Sequence, residues 1–207
     1  MRQQTLPEFG KKTYVMGILN VTPDSFSGDG LLSQPDTVRA ALEQAQRFIE
    51  AGADILDIGG ESTRPGALEV PVVEEIARVA AVIAAAHGLA AVAVDTRKAD
   101  VALAALAAGA GMVNDVSGLD FDPALAGVVA DAGAPICLMH AQGIPRTMQD
   151  NPSYGDVLLD VYDALAERIA RARSAGIPRD RIVIDPGIGF GKTEAHNLAI
   201  LRRISLY

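Results

Sequence analysis

The stretch Ser174–Thr193, SAGIPRDRIVIDPGIGFGKT, admits two readings that lead to different folds. Its end resembles a phosphate-binding loop, with glycines, a lysine and a threonine after an apolar run. A Walker A loop needs Gly, four residues, then Gly-Lys-Ser/Thr. Gly191, Lys192 and Thr193 supply the end, but Pro186 stands where the first glycine belongs. Proline has no backbone N–H to offer a phosphate. A dinucleotide fingerprint starting at Gly187 needs glycine at 192, where Lys192 stands. Both templates fail by one residue. The stretch then reduces to a glycine, a short apolar run and an Asp-Pro-Gly turn.

That reduced pattern recurs along the chain. EAGADILDIGG begins at Glu50, AAGAGMVNDVSG at Ala107 and DAGAPICLMHAQG at Asp131, with a looser copy, AHGLAAVAVDTR, at Ala86. Gly52, Gly88, Gly109, Gly133 and Gly176 sit where a helix would end in the left-handed conformation. The apolar runs are short and continuous, as in parallel strands buried on both faces. Helix-like stretches precede them at Thr37–Ala51, Val72–Ala86, Ala99–Ala108, Pro123–Ala132 and Asp156–Ala175. Parallel strands require such crossovers.

Six strands are expected: Tyr14–Leu19, Ile55–Ile58, Ala91–Val94, Met112–Val113, Ile136–Met139 and Ile182–Ile184. They end at Asn20, Gly59, Asp95, Asn114, His140 and Asp185. Asn20 and Asp185 are 165 residues apart, so the five intervals average 33. That spacing suits a (β/α)8 barrel or a doubly wound sheet. The lack of a glycine fingerprint after the first strand favours the barrel, whose functional groups gather at the C-terminal ends of the strands.

Composition narrows the class of function. The 207 residues are 49% hydrophobic and 4% aromatic, so Ala, Val, Ile and Leu must fill the core. A net charge of −8 disfavours nucleic acid and anionic membrane as partners. It leaves room for a local cationic site. Cys137, the single cysteine, sits in APICLMH and reads as a core thiol. His87, His140 and His196 show no zinc spacing. The N-terminus has no apolar signal region. Val79–Val94, the most hydrophobic segment, is broken by His87-Gly88. A cytoplasmic protein is expected.

The polar groups after the strands carry the chemistry. They are NVTPDSFSGDG (Asn20–Gly30), GGESTRPGA (Gly59–Ala67), Asp95-Thr96-Arg97, Asn114-Asp115 and Asp185-Pro186-Gly187. Each alone has an ordinary explanation as a turn, a helix cap or a surface loop. Together, at one barrel mouth, amides and carboxylates suit a heterocycle rich in N–H and C=O groups. Arg64 and helix N-termini suit an anion.

GILNVTPDSFSGDG, DIGGESTRPGA, VDTRK, NDVSG, LMHAQGIPRTMQDNP and IDPGIGFGK closely resemble the dihydropteroate synthase family. The likeness runs in order from about Val15 to the last residue. It implies a (β/α)8 barrel that joins p-aminobenzoate to 6-hydroxymethyl-7,8-dihydropterin diphosphate, releasing diphosphate in folate biosynthesis. It implies small-molecule substrates, sulfonamide as an inhibitor class, and a homodimer at full length. By the same resemblance Asp95, Asn114 and Asp185 bind the pterin. Met139 packs on it. Gly187, Gly189 and Gly191 let backbone pass close to ligand, and Phe190 lies beside p-aminobenzoate. Thr63 and Arg64 lie near the diphosphate and the incoming amine. Asn20 is a ligand of Mg2+, and Thr22–Gly30 closes over the site. Lys192 is expected out of contact with ligand. No nucleophile or strong base is implied.

The family's pattern continues past Tyr207 with a lysine on a seventh strand and an arginine and a histidine on an eighth. A complete barrel is typically ~250 residues. The expectation is therefore a single barrel domain over 1–207 with about six of eight βα units. Exposed sheet edges, and turnover near background by this chain alone, are expected with it. Two other readings are an inactive pterin-binding fragment and a methyltetrahydrofolate–corrinoid methyltransferase barrel. The latter shares the pterin carboxylates but not an STRPG loop.

Overall fold

Six short apolar runs become six strands: β1 (Met16–Asn20), β2 (Ile55–Gly59), β3 (Ala91–Asp95), β4 (Met112–Asp115), β5 (Ile136–Met139) and β6 (Ile182–Asp185). The computed structural model describes residues 10–22, 35–63, 67–143 and 147–207. Between and after the strands come α1 (Pro35–Glu50), α2 (Val72–Ala86), α3 (Ala99–Ala108), α4 (Leu125–Ala132), α5 (Val157–Ser174) and α6 (Glu194–Arg202). The strands form one sheet in the order β1-β2-β3-β4-β5-β6, every neighbouring pair parallel. A doubly wound sheet reverses its strand order at a switch point. This sheet never reverses, which is the order of a (β/α)8 barrel through six units.

Parallel strands of period two sort their side chains onto two faces. Leu19, Leu56, Ile58, Val92, Val94, Val113, Ile136 and Leu138 belong to the large core that includes α1 to α4. Their alternates Ile55, Ala91, Ala93, Met112 and Cys137, with Met16 and Val183, make a smaller cluster on the other face. The first face carries the bulk because helices cover it. α1 repeats Val38, Ala41, Leu42, Ala45, Phe48 and Ile49 at helical spacing against this core. β1 admits α1 closely, since a Cβ on Gly17 would meet the Phe48 ring at 2.8 Å.

Local signals set the helix ends. Gly109 and Gly133 cap α3 and α4 in the left-handed region, at φ +113° and +61°. Asp156 caps α5 by accepting from the N–H groups of Leu158 and Leu159 at 2.9 and 3.3 Å. Helix α4 starts two residues later than its sequence pattern suggests. Asp122 takes the N–H groups of Ala124 and Ala99 instead, at 2.9 and 2.8 Å, holding residues 122–124 in a turn. Strand β1 starts two residues late because Val15 exchanges hydrogen bonds with Asp54 at 2.8 and 3.0 Å. Among the described residues no helix is long and apolar enough to cross a membrane.

Helix α6 is absent from the sequence-based expectation. Its start is the tail of the decoy phosphate loop. Thr193 Oγ1 accepts from His196 N, and His196 Nδ1 accepts from Thr193 N, both at 3.3 Å. The threonine that completed the false motif is a helix N-cap.

Candidate active site at the strand ends

The register places the expected groups at one end of the sheet. Asn20 pairs with Gly59, Gly59 with Asp95, and Asp95 with Asn114. Cys137 continues the row beside Asn114, and Met139 pairs with Asp185 just beyond it. Asn20, Asp95, Asn114 and Asp185 thus share one mouth although they are remote in sequence. Gly59 leaves the room that Asp95 uses: a Cβ there would lie 3.3 Å from Asp95 Cβ. Arg64 and residues 23–30 of the first loop lie outside the described residues.

Asp57 was not singled out by the sequence reading, and it lies beneath this row. The signal was an acid inside an apolar strand, Ile55-Leu56-Asp57-Ile58. Asp57 is 2% exposed. Its Oδ2 accepts from Asn114 Nδ2 at 2.8 Å, and its buried Oδ1 has no hydrogen-bond partner among the described residues. A carboxylate only accepts, so it fixes the Asn114 amide with Oδ1 turned away from Asp57. Burial pushes the Asp57 carboxyl up to about 6, against the pull of the Asn114 bond. Burial and then repulsion from Asp57 hold Asp95 well above the usual carboxylate range. The mouth is therefore loaded with acceptors whose charge is poorly compensated. A ligand edge bearing several N–H groups relieves that load.

Asn114 and Asp115 divide the two readings of their dipeptide. Asn114 faces Asp57. Asp115 is fully buried and makes the turn, accepting from Ser117 N at 2.8 Å, Ser117 Oγ at 2.6 Å and Leu119 N at 2.6 Å. Asp95 does not cap α3, whose first N–H is held by Asp122. Asp185 does form a turn, its Oδ1 accepting from Gly187 N at 2.7 Å.

The loop after β2 is fastened by ions. Glu61 accepts from Val70 N at 2.8 Å, closing the loop that carries Thr63. Lys98 Nζ reaches Glu61 at 2.6 Å, Glu75 at 2.7 Å and Val70 O at 2.5 Å. Arg97 pairs with Glu61 at 2.8 Å, and its guanidinium stacks 3.8 Å from the Phe121 ring centre. Burial works to lower the Lys98 pKa, but Glu61 and Glu75 outweigh it and hold it above its ordinary value.

The loop after β6 uses its backbone N–H groups internally. Gly187 N meets Asp185, Gly189 N meets Asn197 Oδ1 at 2.9 Å, and Phe190 N meets Gly187 O at 3.1 Å. Those N–H groups are not available to a phosphate. Glycine at 187 is required twice over, because φ is +69° and a Cβ would fall on the His140 carbonyl oxygen. Phe190 lines a cavity of about 120 Å³ shared with Thr63, Arg97, Phe121 and Met148. Burial pushes the Cys137 thiol up, which keeps it a protonated core residue. Among the described residues no group of three or more His, Cys, Asp or Glu side chains could hold a metal ion.

The pterin binding enzyme family matches this chain over residues 16–207. The dihydropteroate synthase of Synechocystis sp. is 45% identical over 203 residues, covering 97% of this chain and 69% of that protein. Among solved structures, Xanthomonas albilineans dihydropteroate synthase with 4-aminobenzoic acid superposes at TM-score 0.84 and 49% identity, over 94% of this chain and 68% of that one. Burkholderia cenocepacia dihydropteroate synthase complexed with 7,8-dihydropteroate superposes at 0.82 and 44%, over 95% and 66%.

Proposed function

We infer the function of this chain from one premise: it belongs to the pterin binding enzyme family. Within that family it is a dihydropteroate synthase barrel. The reaction joins p-aminobenzoate to 6-hydroxymethyl-7,8-dihydropterin diphosphate. A C–N bond forms at the methylene carbon, the C–O bond to diphosphate breaks, and the amine loses a proton. The observation that carries this reading is the row of acceptors Asp95, Asn114 and Asp185 at one mouth, backed by a buried Asp57.

The pterin's N–H groups are the donors that this row lacks. Asp185 accepts from the amino-pyrimidinone edge, whose two N–H groups suit a carboxylate. Asp95 and Asn114 Oδ1 take other ring donors, and Met139 packs on the ring. As diphosphate departs, positive charge at the methylene carbon is shared with the ring that these acceptors hold. Thr63 and Phe190, on one cavity, orient p-aminobenzoate toward that carbon. Arg64 is assigned to the diphosphate on the family resemblance alone. The aniline nitrogen attacks with its own lone pair, so no side chain acts as nucleophile.

A single amide oxygen, that of Asn20 at the end of β1, fits a Mg2+ ion that draws its other ligands from diphosphate and water. The ion would neutralise leaving-group charge. At full length the family's homodimer is the expected assembly.

The test is direct. Calorimetry should show 6-hydroxymethylpterin binding, weakened by changes at Asp185 and Asp95. Full-length protein given pterin diphosphate, p-aminobenzoate and Mg2+ should form dihydropteroate. Failure to bind the pterin at all would remove the reading.

A further inference from the structure

Lys192 fastens the loop after β6 to the end of β5. Its Nζ lies 3.0 Å from His140 Nδ1, 3.2 Å from His140 O and 3.0 Å from Phe190 O. An ammonium has three donors, and all three are engaged. Lys192 is 3% exposed, and no carboxylate lies within ion-pair distance among the described residues. Around this clip the two backbones touch. A Cβ on Gly191 would meet Gln142 O at 2.5 Å, and Tyr154 Oη donates to Gly191 O at 2.7 Å. Gln149 Nε2 donates to Gly189 O. The Phe190 carbonyl held by Lys192 belongs to the residue whose ring lines the cavity beside Thr63.

A buried cation without a carboxylate is a poor device for stability. An apolar side chain of similar length would fill the space. What the ammonium adds is geometry: three fixed acceptors on two loops define where Phe190 sits.

We propose that Lys192 is a positioning residue, which sets Phe190 against the incoming amine by tying the Phe190 carbonyl to the end of β5, and that it touches neither substrate. The inference rests on the dihydropteroate synthase reading but can fail separately from it.

The charged groups around Lys192 are Asp185 from β6 and Arg168 from α5, with His140 from the end of β5. Burial brings the lysine down to about 8, with Asp185 opposing and Arg168 assisting. Burial, Lys192 and Arg168 bring His140 down to about 4, so its neutral ring offers Nδ1 as an acceptor at neutral pH. Above about pH 8 the amine loses one donor and the clip loosens.

The experiment compares wild type, Lys192→Met and Lys192→Arg in the full-length protein. Calorimetry reads the affinity for 6-hydroxymethylpterin, and steady-state kinetics read kcat/KM for p-aminobenzoate at saturating pterin diphosphate. In Lys192→Met the pterin affinity stays within about twofold. Its kcat/KM for p-aminobenzoate falls about 10- to 100-fold, the range for a reactant held slightly out of place. Lys192→Arg keeps the charge with differently placed donors and falls between. Wild-type kcat/KM for p-aminobenzoate declines above about pH 8, and the Lys192→Met value does not. A flat wild-type profile to about pH 9 overturns the proposal without reference to any variant. So does Lys192→Met with wild-type kcat/KM, or with pterin affinity lost in the same proportion. Wild type that neither binds pterin nor forms dihydropteroate defeats the functional reading instead.

Discussion

Two lysines are buried to the same degree, and their surroundings differ in kind. Lys98 and Lys192 are each 3% exposed. Lys98, between the loops after β2 and β3, sits between Glu61 and Glu75 and is held above its ordinary pKa. Lys192, between the ends of β5 and β6, has only carbonyls and a neutral histidine as partners and falls to about 8. The first junction is electrostatically closed within the fold. The second leaves a cation without a matching carboxylate, while Asp57 and Asp95 at the neighbouring mouth lack matching cations. Compensated charge marks where this fold is held together. The uncompensated carboxyls Asp57 and Asp95 stand at the mouth proposed to receive the pterin, and the uncompensated Lys192 at the loop proposed to position Phe190.

Removing one partner at the closed junction should have the largest effect. Lys98→Met leaves the buried Glu75 without its cation and Glu61 with Arg97 alone. Breaking a buried pair in this way costs about 3–5 kcal/mol, to be read from urea unfolding. A loss below about 1 kcal/mol would dissolve the distinction between the two lysines.

At the open mouth the loss should fall on binding. Asp185→Ala should weaken pterin binding by about 1.5–3 kcal/mol, the worth of a charged hydrogen bond. Calorimetry would measure it, and unchanged affinity would reject the assigned role.

Asp57→Asn should stabilise the free protein at pH 7 by on the order of 2 kcal/mol. The folded pKa of Asp57, about 6, lies above its unfolded value. The folded state therefore holds its proton more tightly, and stability declines as pH rises from about 4 to 6. The advantage of asparagine should be full above about pH 6 and vanish below about pH 4. Unfolding series at several pH values check it, and an advantage independent of pH would contradict it.

Lys192→Met should change stability least, by less than about 1 kcal/mol near neutral pH. Losing three hydrogen bonds is offset by no longer burying an unpaired ammonium. Because the folded pKa lies below the unfolded one, the wild type should gain stability as pH rises from about 8 toward 10.5. The methionine variant should lack that gain, and a variant that kept it would locate the titration elsewhere.

How much of this was legible in the sequence depends on how far apart the deciding residues are. Each βα unit carries its own signals within about 33 residues: a left-handed glycine, a β-branched run and a polar turn. Strand ends at Asn20, Asp95, Asn114 and Asp185, and the failure of Lys192 as a phosphate lysine, could be read directly. Helix α6 escaped because its start is a Thr193–His196 capping box that sat inside a misleading motif.

The sequence by itself determined the number and direction of the strands and the end at which their polar residues gather. Burial and chain reversal are local consequences of side-chain type, so they need no distant partner. Only the tertiary structure decided which charges are satisfied. Lys98 meets Glu61 and Glu75 across separations of 37 and 23 residues, and Lys192 meets His140 across 52. Asn114 turns inward to Asp57 across 57, while Asp115 beside it turns to its own loop. The free energy of a buried charge is set by the partners that the packed sheet brings within about 3 Å, and no stretch of the chain contains those partners in advance.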